Sequence, residues 1–298
     1  MCGRFCCALC TEDLKTKLVN NGLNVENNDW KDQDKFRPRY NVAPRSFVPV
    51  VRQNDSGQLM LQTMKWGLVP SFAKTMPDMQ PINARDDTLL TGSPMYDRIK
   101  SDKRCIVVAD GFYEWKKLGN GKKVPYYTRR KDGQLMFFAG LYDKAHPQDW
   151  NEPVLYSTII VTTGPSSFFS FLHDRMPVIL DKKEAYQWLD RSIRWSNDLI
   201  KLMKPFQGEL DCYQVTDKVG PVSNESSDFI LPVDTLKGSI SSFFGKQPET
   251  SSKKRSSPNK DFQQDIAKKI KTSPTSKTSQ EKQQSQDRKH ITNFFKQK

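Results

Sequence analysis

The apolar residues of this chain come in runs of strand length. Phe47–Arg52, Leu59–Met64, Arg104–Ala109, Pro125–Arg130, Leu135–Leu141, Leu155–Thr163 and Cys212–Thr216 are rich in β-branched and aromatic residues and are bounded by turn-forming residues. Helical spacing is rarer. Thr11–Asn20 reads as a short helix capped by Thr11, with Leu14 and Leu18 four apart. Lys182–Asp190 reads as a second helix, capped by Asp181, and Trp195–Lys204 as a third. Strands do not alternate with helices, which argues against doubly wound and TIM-barrel plans. The pattern predicts a strand-dominated α+β fold, a curved and mostly antiparallel sheet with peripheral helices.

This pattern stops near residue 235. Residues 236–298 are rich in Ser, Thr, Lys and Gln and contain no stretch able to bury enough surface to offset the entropy of ordering it, so a disordered tail is expected there. The preceding 2–235 reads as one domain, a size that a single core can serve. The net charge of +13 is unevenly shared: the tail carries 15 Lys/Arg against 5 Asp/Glu, residues 1–235 carry 32 against 29. Bulk charge therefore makes no case for nucleic-acid binding by the domain, which would need a local basic cleft. No apolar run of about 18 residues offers a membrane span, and Met1-Cys2-Gly3-Arg4 lacks the order of a secretory signal. A reducing compartment is expected, with cysteines serving as thiols, ligands or nucleophiles rather than disulfides.

Cys2 is the first candidate for chemistry. Aminopeptidase is expected to remove Met1, because the next side chain is small, leaving an α-amine and a thiol on one carbon. Their reference pKa values, about 7.7–8.0 and about 8.5, make both available near neutral pH. An amine condenses with an aldehyde to an imine, on which an adjacent thiol closes to a thiazolidine; alternatively the thiol attacks a peptide carbonyl. The plainest reading is that Cys2 is only where the chain starts. Cys2, Cys6, Cys7 and Cys10 crowd together, but a zinc site would need a second pair, and Cys105 and Cys212 stand far apart. No metal or other cofactor is expected.

Three further segments carry polar groups in apolar settings. Cys105–Trp115 reads as a buried strand running into Glu114, where partial desolvation would raise the carboxyl pKa and suit it to proton transfer, unless an Arg partner makes it merely structural. Of His146, His173 and His290, only His173 lies in a dense setting, Leu172-His173-Asp174-Arg175-Met176-Pro177, where a hydrogen bond to Asp174 is the structural alternative. Asn83-Ala84-Arg85 pairs an amide with a guanidinium, suited to orienting a substrate and holding a phosphate. Trp66, before the Gly67 turn, reads as core or as a stacking platform.

Taken together, Cys2-Gly3-Arg4, Tyr40-Asn41-Val42-Ala43-Pro44, Trp66-Gly67-Leu68-Val69-Pro70, Asn83-Ala84-Arg85, Asp110-Gly111-Phe112-Tyr113-Glu114-Trp115 and His173-Asp174-Arg175-Met176-Pro177 resemble the SRAP (SOS response-associated peptidase) family over residues 2 to about 235. The resemblance implies a bifurcated β-sheet forming a pseudo-barrel. It also implies a lyase-like chemistry in which the N-terminal Cys cross-links to the ring-opened aldehyde of an abasic site in single-stranded DNA. On that reading Cys2 is the nucleophile, Asn83 holds the α-amine or opened sugar, Glu114 shuttles protons and His173 assists ring opening and reversal. Arg4, Arg85 and Arg175 would contact phosphates, while Pro44, Trp66 and Trp115 would line the kinked strand or its junction. The resemblance leaves two alternatives, a thiol autopeptidase and a non-covalent reader of 5-hydroxymethylcytosine. The protein is expected to be monomeric.

The tail has its own signals. Lys253-Lys254-Arg255 and Lys268-Lys269-Ile270-Lys271 have the form of a bipartite nuclear import signal, pointing to the nucleus. Ile240, Phe243 and Phe244, and again Ile291, Phe294 and Phe295, repeat an I-x-x-F-F spacing. Each set resembles the box that docks onto the replication sliding clamp, although the usual Gln is Lys237 in one copy and Arg288 in the other.

Overall fold

The computed structural model describes residues 2–25 and 30–236, so the tail motifs around Ile240, Lys253, Lys268 and Ile291 lie outside the described residues. The chain first forms β1 (Phe5–Cys7), α1 (Thr11–Asn20), β2 (Trp30–Lys31), β3 (Arg39–Val42), β4 (Phe47–Gln53) and β5 (Leu59–Trp66). Next come β6 (Asn83–Arg85), α2 (Asp86–Thr91), α3 (Pro94–Asp97), β7 (Arg104–Ala109), β8 (Gly111–Lys117), β9 (Lys123–Arg130) and β10 (Met136–Ala145). It finishes with β11 (Leu155–Thr163), β12 (Met176–Pro177), β13 (Ile179–Leu180), α4 (Lys182–Leu189), α5 (Asn197–Ile200) and β14 (Leu210–Gln214). The fold is strand-dominated α+β, as the sequence pattern predicts.

Two sheets share the work. In the larger one β5, β4, β7, β10 and β11 pair in antiparallel sequence, and a parallel pairing of β11 with β5, Ser157 with Lys65 and Thr158 with Trp66, closes them into a five-stranded barrel. Closure leaves these strands no free edge among themselves. Because helices and loops cover the outside, β5 and β7 are buried on both faces, which is why Leu59–Trp66 and Arg104–Ala109 read as near-continuous apolar runs rather than alternating ones. The second sheet has the order β14-β9-β8-β1-β3. The chain crosses from barrel to second sheet at Asp110, between β7 and β8, so one extended segment serves both and the sheet bifurcates there.

Gly111, just after the fork, admits no side chain: a Cβ would stand 2.5 Å from the Tyr127 hydroxyl and 2.6 Å from the Thr128 carbonyl oxygen. The fork is thus packed directly against β9.

The helices are peripheral, and their ends follow capping chemistry with one change from expectation. Asp181 caps α4 in a reciprocal capping box with Glu184. In α1 the cap is Cys10, whose Sγ accepts from the Asp13 N–H at 3.5 Å, and Thr11 is already the first helical residue. The expected helix over Trp195–Lys204 shrinks to Asn197–Ile200, because the chain tightens into i→i+3 bonds (Leu202 N–H to Leu199 O, Met203 N–H to Ile200 O) ahead of Pro205.

Arg104 ties the barrel to its helices. It is 1 % exposed. Its guanidinium donates to main-chain carbonyls rather than to a carboxylate: Nε to Trp188 at 2.6 Å, Nη1 to Lys100 at 3.1 Å and to Ser101, Nη2 to Ile193 at 2.8 Å and to Asp190. Burial pulls its pKa down to about 10, which still leaves it charged at neutral pH. Removing the guanidinium strands several buried carbonyls, each worth about 1–3 kcal/mol when unsatisfied. Arg104→Met is accordingly expected to cost about 3–5 kcal/mol, a shift in urea midpoint with little change in slope. A midpoint like that of the unsubstituted chain would show that these bonds do not hold the barrel to α4.

Candidate active site

β1 lies between β3 and β8, with Phe5 opposite both Val42 and Phe112. The Tyr113 N–H donates to the Arg4 carbonyl at 2.9 Å, so the pairing with β8 continues beyond β1 toward the chain start. Followed two residues further, this register sets Gly3 opposite Glu114 and Cys2 opposite Trp115, next to the Glu114 carboxyl. Cys2 is fully buried. On its other side stands Asn83 in β6, held by its parallel pairing to β11 (Ile160 with Asn83); its Nδ2 donates to the Cys2 carbonyl at 2.8 Å. The Asn83 Oδ1 is buried and forms no hydrogen bond with any described residue, so an acceptor is left over next to Cys2.

Electrostatics follow from that burial. Desolvation, helped by the charge of Glu114, pushes the Cys2 thiol well above its ordinary range, so the sulfur is held as a thiol until something removes its proton. Glu114 is 6 % exposed, and burial raises its carboxyl to about 7, where it can both accept and donate a proton at physiological pH. Burial lowers the pKa of His173, which favours neutral imidazole. Its Nδ1 accepts the Arg175 N–H at 3.0 Å and lies 2.7 Å from Asp174 Oδ1. Accepting the Arg175 N–H puts a neutral ring's proton on Nε2, whereas a hydrogen bond to the Asp174 carboxylate puts it on Nδ1, so the two contacts select different tautomers.

Glu114 and His173 open onto a cleft of 410 Å³ that Arg4, Trp115, Lys117, Lys123 and Gly220 also line, while Cys2 is buried behind this lining. Lys117 and Lys123 are direct cross-strand partners in the β8–β9 hairpin and form no ion pair with described residues. Like charges placed opposite each other are unfavourable in a bare sheet. At a cleft mouth they suit an anion.

The structure brings Cys2, Asn83, Glu114, Trp115 and His173 together. The other expected site residues differ in what they can touch. Arg4 lines the cleft, but it is mostly buried and donates to Asn41 Oδ1 at 2.6 Å, Val219 O at 3.1 Å and Gly220 O at 3.1 Å while lying over the Trp115 ring. It holds the wall in place as much as it offers charge. Arg85 is exposed and forked onto Asp87. Arg175 donates to Asp86 at 2.7 Å and to the Thr162 carbonyl at 2.6 Å, while its buried Nε makes no hydrogen bond with a described residue. Pro44 is exposed in a turn closed by Ser46 N–H to Ala43 O, with Arg45 at φ 72°, the left-handed value a type II turn demands there.

Trp66 corrects the expectation that it lines a bound strand. It is fully buried, stacked 5.0 Å from Phe5, with Nε1 donating to the Ile82 carbonyl at 3.0 Å; it supports β1 and β6 from beneath.

Two contributors went unassigned in the sequence reading. Asn41, fully buried, accepts from Arg4 and donates to the carbonyls of Val219, Pro221 and Asn224, pinning residues 219–224 to the cleft. The Lys117/Lys123 pair is the other, and it becomes visible only once the hairpin register is known. Among the described residues no group of three His, Cys, Asp or Glu is placed to hold a metal ion.

This geometry meets a family pattern. The family model described as SOS response associated peptidase (SRAP) matches residues 1–222. The chain belongs to the SRAP family. It is 36% identical over 262 residues to the abasic site processing protein YMR114C of Saccharomyces cerevisiae, with 78% of this chain and 68% of that protein covered. To the abasic site processing protein HMCES of Gallus gallus it is 32% identical, with 78% of each chain covered. To the abasic site processing protein YoqW of Bacillus subtilis it is 34% identical, with 77% and 99% covered. Among solved structures, a Bacteroides thetaiotaomicron protein superimposes with a TM-score of 0.60 at 26% identity, covering 72% of this chain and 93% of that one.

The raised pKa of Glu114 has a consequence for stability. Between its ordinary value of 4.5 and about 7, the folded chain keeps a proton that the unfolded chain has lost, so stability falls as pH rises through that window. Relative to Glu114→Gln, the wild type should lose on the order of 1–3 kcal/mol between pH 5 and pH 8, read from urea unfolding at each pH. Parallel pH profiles for the two proteins would mean that Glu114 ionises normally.

Proposed function

We propose that this protein recognises abasic sites in single-stranded DNA and joins itself to them through Cys2. The observation that carries the reading is a buried Cys2 next to Glu114, a carboxyl of pKa about 7 that itself lines a cleft with Lys117 and Lys123. The names of the relatives, abasic site processing proteins, support the substrate.

Chemically, with Met1 removed, the α-amine of Cys2 adds to the aldehyde carbon of the ring-opened sugar. The carbinolamine loses water to an imine as Glu114 donates a proton to the departing hydroxyl. The thiol then adds to the imine carbon, its proton passing by way of Glu114 to the imine nitrogen. The sum is one aldehyde and one aminothiol giving one thiazolidine and one water. The leftover acceptor on Asn83 suits an N–H of the amine, which it would orient toward the aldehyde. His173, which lines the cleft, is suited to protonating the sugar ring oxygen as the ring opens. Lys117 and Lys123 supply charge for phosphates, and Trp115 an apolar wall.

The full chain mixed with uracil-glycosylase-treated single-stranded DNA should give a heat-stable adduct on a denaturing gel. Cys2→Ala, or a chain that keeps Met1, should give none. Glu114→Ala or His173→Ala should slow adduct formation or reversal by about 10²- to 10⁴-fold. A stable adduct from Cys2→Ala would sink the assignment. Reversible retention of 5-hydroxymethylcytosine DNA with no adduct would favour a non-covalent reader. The family description favours a second use of the same thiol, cleavage of the peptide bond before Cys2. Mass spectrometry of purified Met1-containing chain, with and without Cys2→Ala, separates the two.

The tail extends the proposal to the nucleus and the replication clamp. A peptide of residues 284–298 is expected to bind the clamp in calorimetry and to lose binding when Phe294 and Phe295 become Ala. Absence of heat from both tail motifs would remove the clamp and leave the lesion chemistry standing.

A further inference from the structure

The segment between β11 and His173 carries large apolar side chains in an unusual disposition. In Ser166–Leu172 the chain makes a compact turn, with the Phe169 and Ser170 N–H groups donating to the Ser166 carbonyl and the Leu172 N–H to that of Phe169. Phe169 is fully buried against Phe112, with ring centroids 5.5 Å apart, and Leu172 is buried too. These two residues anchor the turn. Phe168 and Phe171 are left outside, 48% and 44% exposed.

The two exposed rings are not loose. Phe171 meets Phe168 edge to face at 6.5 Å and Tyr126 edge to face at 5.8 Å. Tyr126 lies on β9 directly opposite Glu114. Lys116, on the same side of β8 as Glu114, places Nζ 5.1 Å from the Phe171 ring. The patch therefore begins beside the candidate catalytic carboxylate and ends two residues before His173, next to the cleft that Lys117 and Lys123 line. The segment itself contains no carboxylate, and Asp174, just beyond His173, is turned to His173 Nδ1 at 2.7 Å. Exposed aromatic rings bordered by cations that form no ion pair with described residues, next to a cleft and held on a pinned turn, match what unstacked nucleobases require: π faces for the bases and positive charge for the backbone.

We infer that Phe168 and Phe171, with Lys116, form a stacking platform for nucleobases of a single strand leaving the Cys2 cleft. This rests on the single-strand reading above and adds to it a second contact zone that acts on intact nucleotides rather than on the lesion. Its contribution is independent of sequence, since every base offers a ring face.

The test uses the full chain and lesion-free single-stranded oligonucleotides carrying 2-aminopurine at successive positions. Wild type should quench the probe at one or two positions as it stacks. Phe168→Ala with Phe171→Ala should abolish that quench and weaken binding roughly 10- to 100-fold, with an unchanged melting temperature because both rings are exposed. Phe168→Tyr with Phe171→Tyr should restore both. Lys116→Gln should lower the salt slope by about 1 while leaving the quench in place. Wild-type affinity and quench in the double Ala variant would overturn the platform, as would an effect on sedimentation alone, which would mark a self-association patch. In either case the Cys2 adduct on a short abasic oligonucleotide still reports separately on the lesion chemistry. A wild type unable to bind intact single strands would overturn the platform as well.

Discussion

The arrangement around Cys2 depends on how β1 is fastened at the fork. Asp110 sits where the barrel strand becomes a strand of the second sheet, and it grips β1 and the residue after it twice. Its N–H donates to the Cys6 carbonyl at 2.8 Å, and its Oδ2 accepts the Ala8 N–H at 2.8 Å. A one-residue slip of β1 would break both bonds and turn every β1 side chain to the wrong face. Gly111 adds a steric lock, since β9 passes too close for any side chain there. With Cys6 fixed, the continuing register leaves the chain start no place except beside Glu114.

The electrostatics of the site are consequences of that placement rather than additions to it. Burial raises the thiol and the carboxyl alike, and the charge of Glu114 further discourages the Cys2 thiol from ionising. A proton is thereby kept at hand in an otherwise apolar corner, and the cations are kept at the rim, where water screens them and an incoming anion can find them. Arg4 and Asn41 form the link between these zones. Their hydrogen bonds to residues 219–224 bring a late segment of the domain against its first strand, so the cleft has a wall opposite Glu114.

Much of this was legible in the sequence, for identifiable reasons. The strands were visible because β-branched runs and turn residues bound them, and the Asp181 cap because capping chemistry is local. Cys2, Asn83, Glu114 and His173 stood out because each is a reactive or polar group in an apolar string. What escaped depends on partners distant in sequence. Nothing near Arg4 indicates that its donors are taken up by Asn41, Val219 and Gly220. An aromatic before a Gly turn reads equally as platform or core, and only the packing of Phe5 decides that Trp66 is core. At the start of α1, Cys10 and Thr11 are both able to cap, and the choice turns on one residue of backbone geometry.

The closing pair of the barrel has a bearing on when the site comes into being. Ser157 and Thr158 reach back to Lys65 and Trp66, and the next residues of β11 also hold Asn83. During synthesis from the N-terminus, the thiol emerges first and the strand that completes its surroundings emerges after two thirds of the domain has been made. Contacts this far apart in sequence form late, because the loop between them must be closed before they return any stabilisation. On the ribosome, then, Cys2 begins as an ordinary exposed cysteine, and its buried, proton-retaining character is acquired only when the barrel shuts.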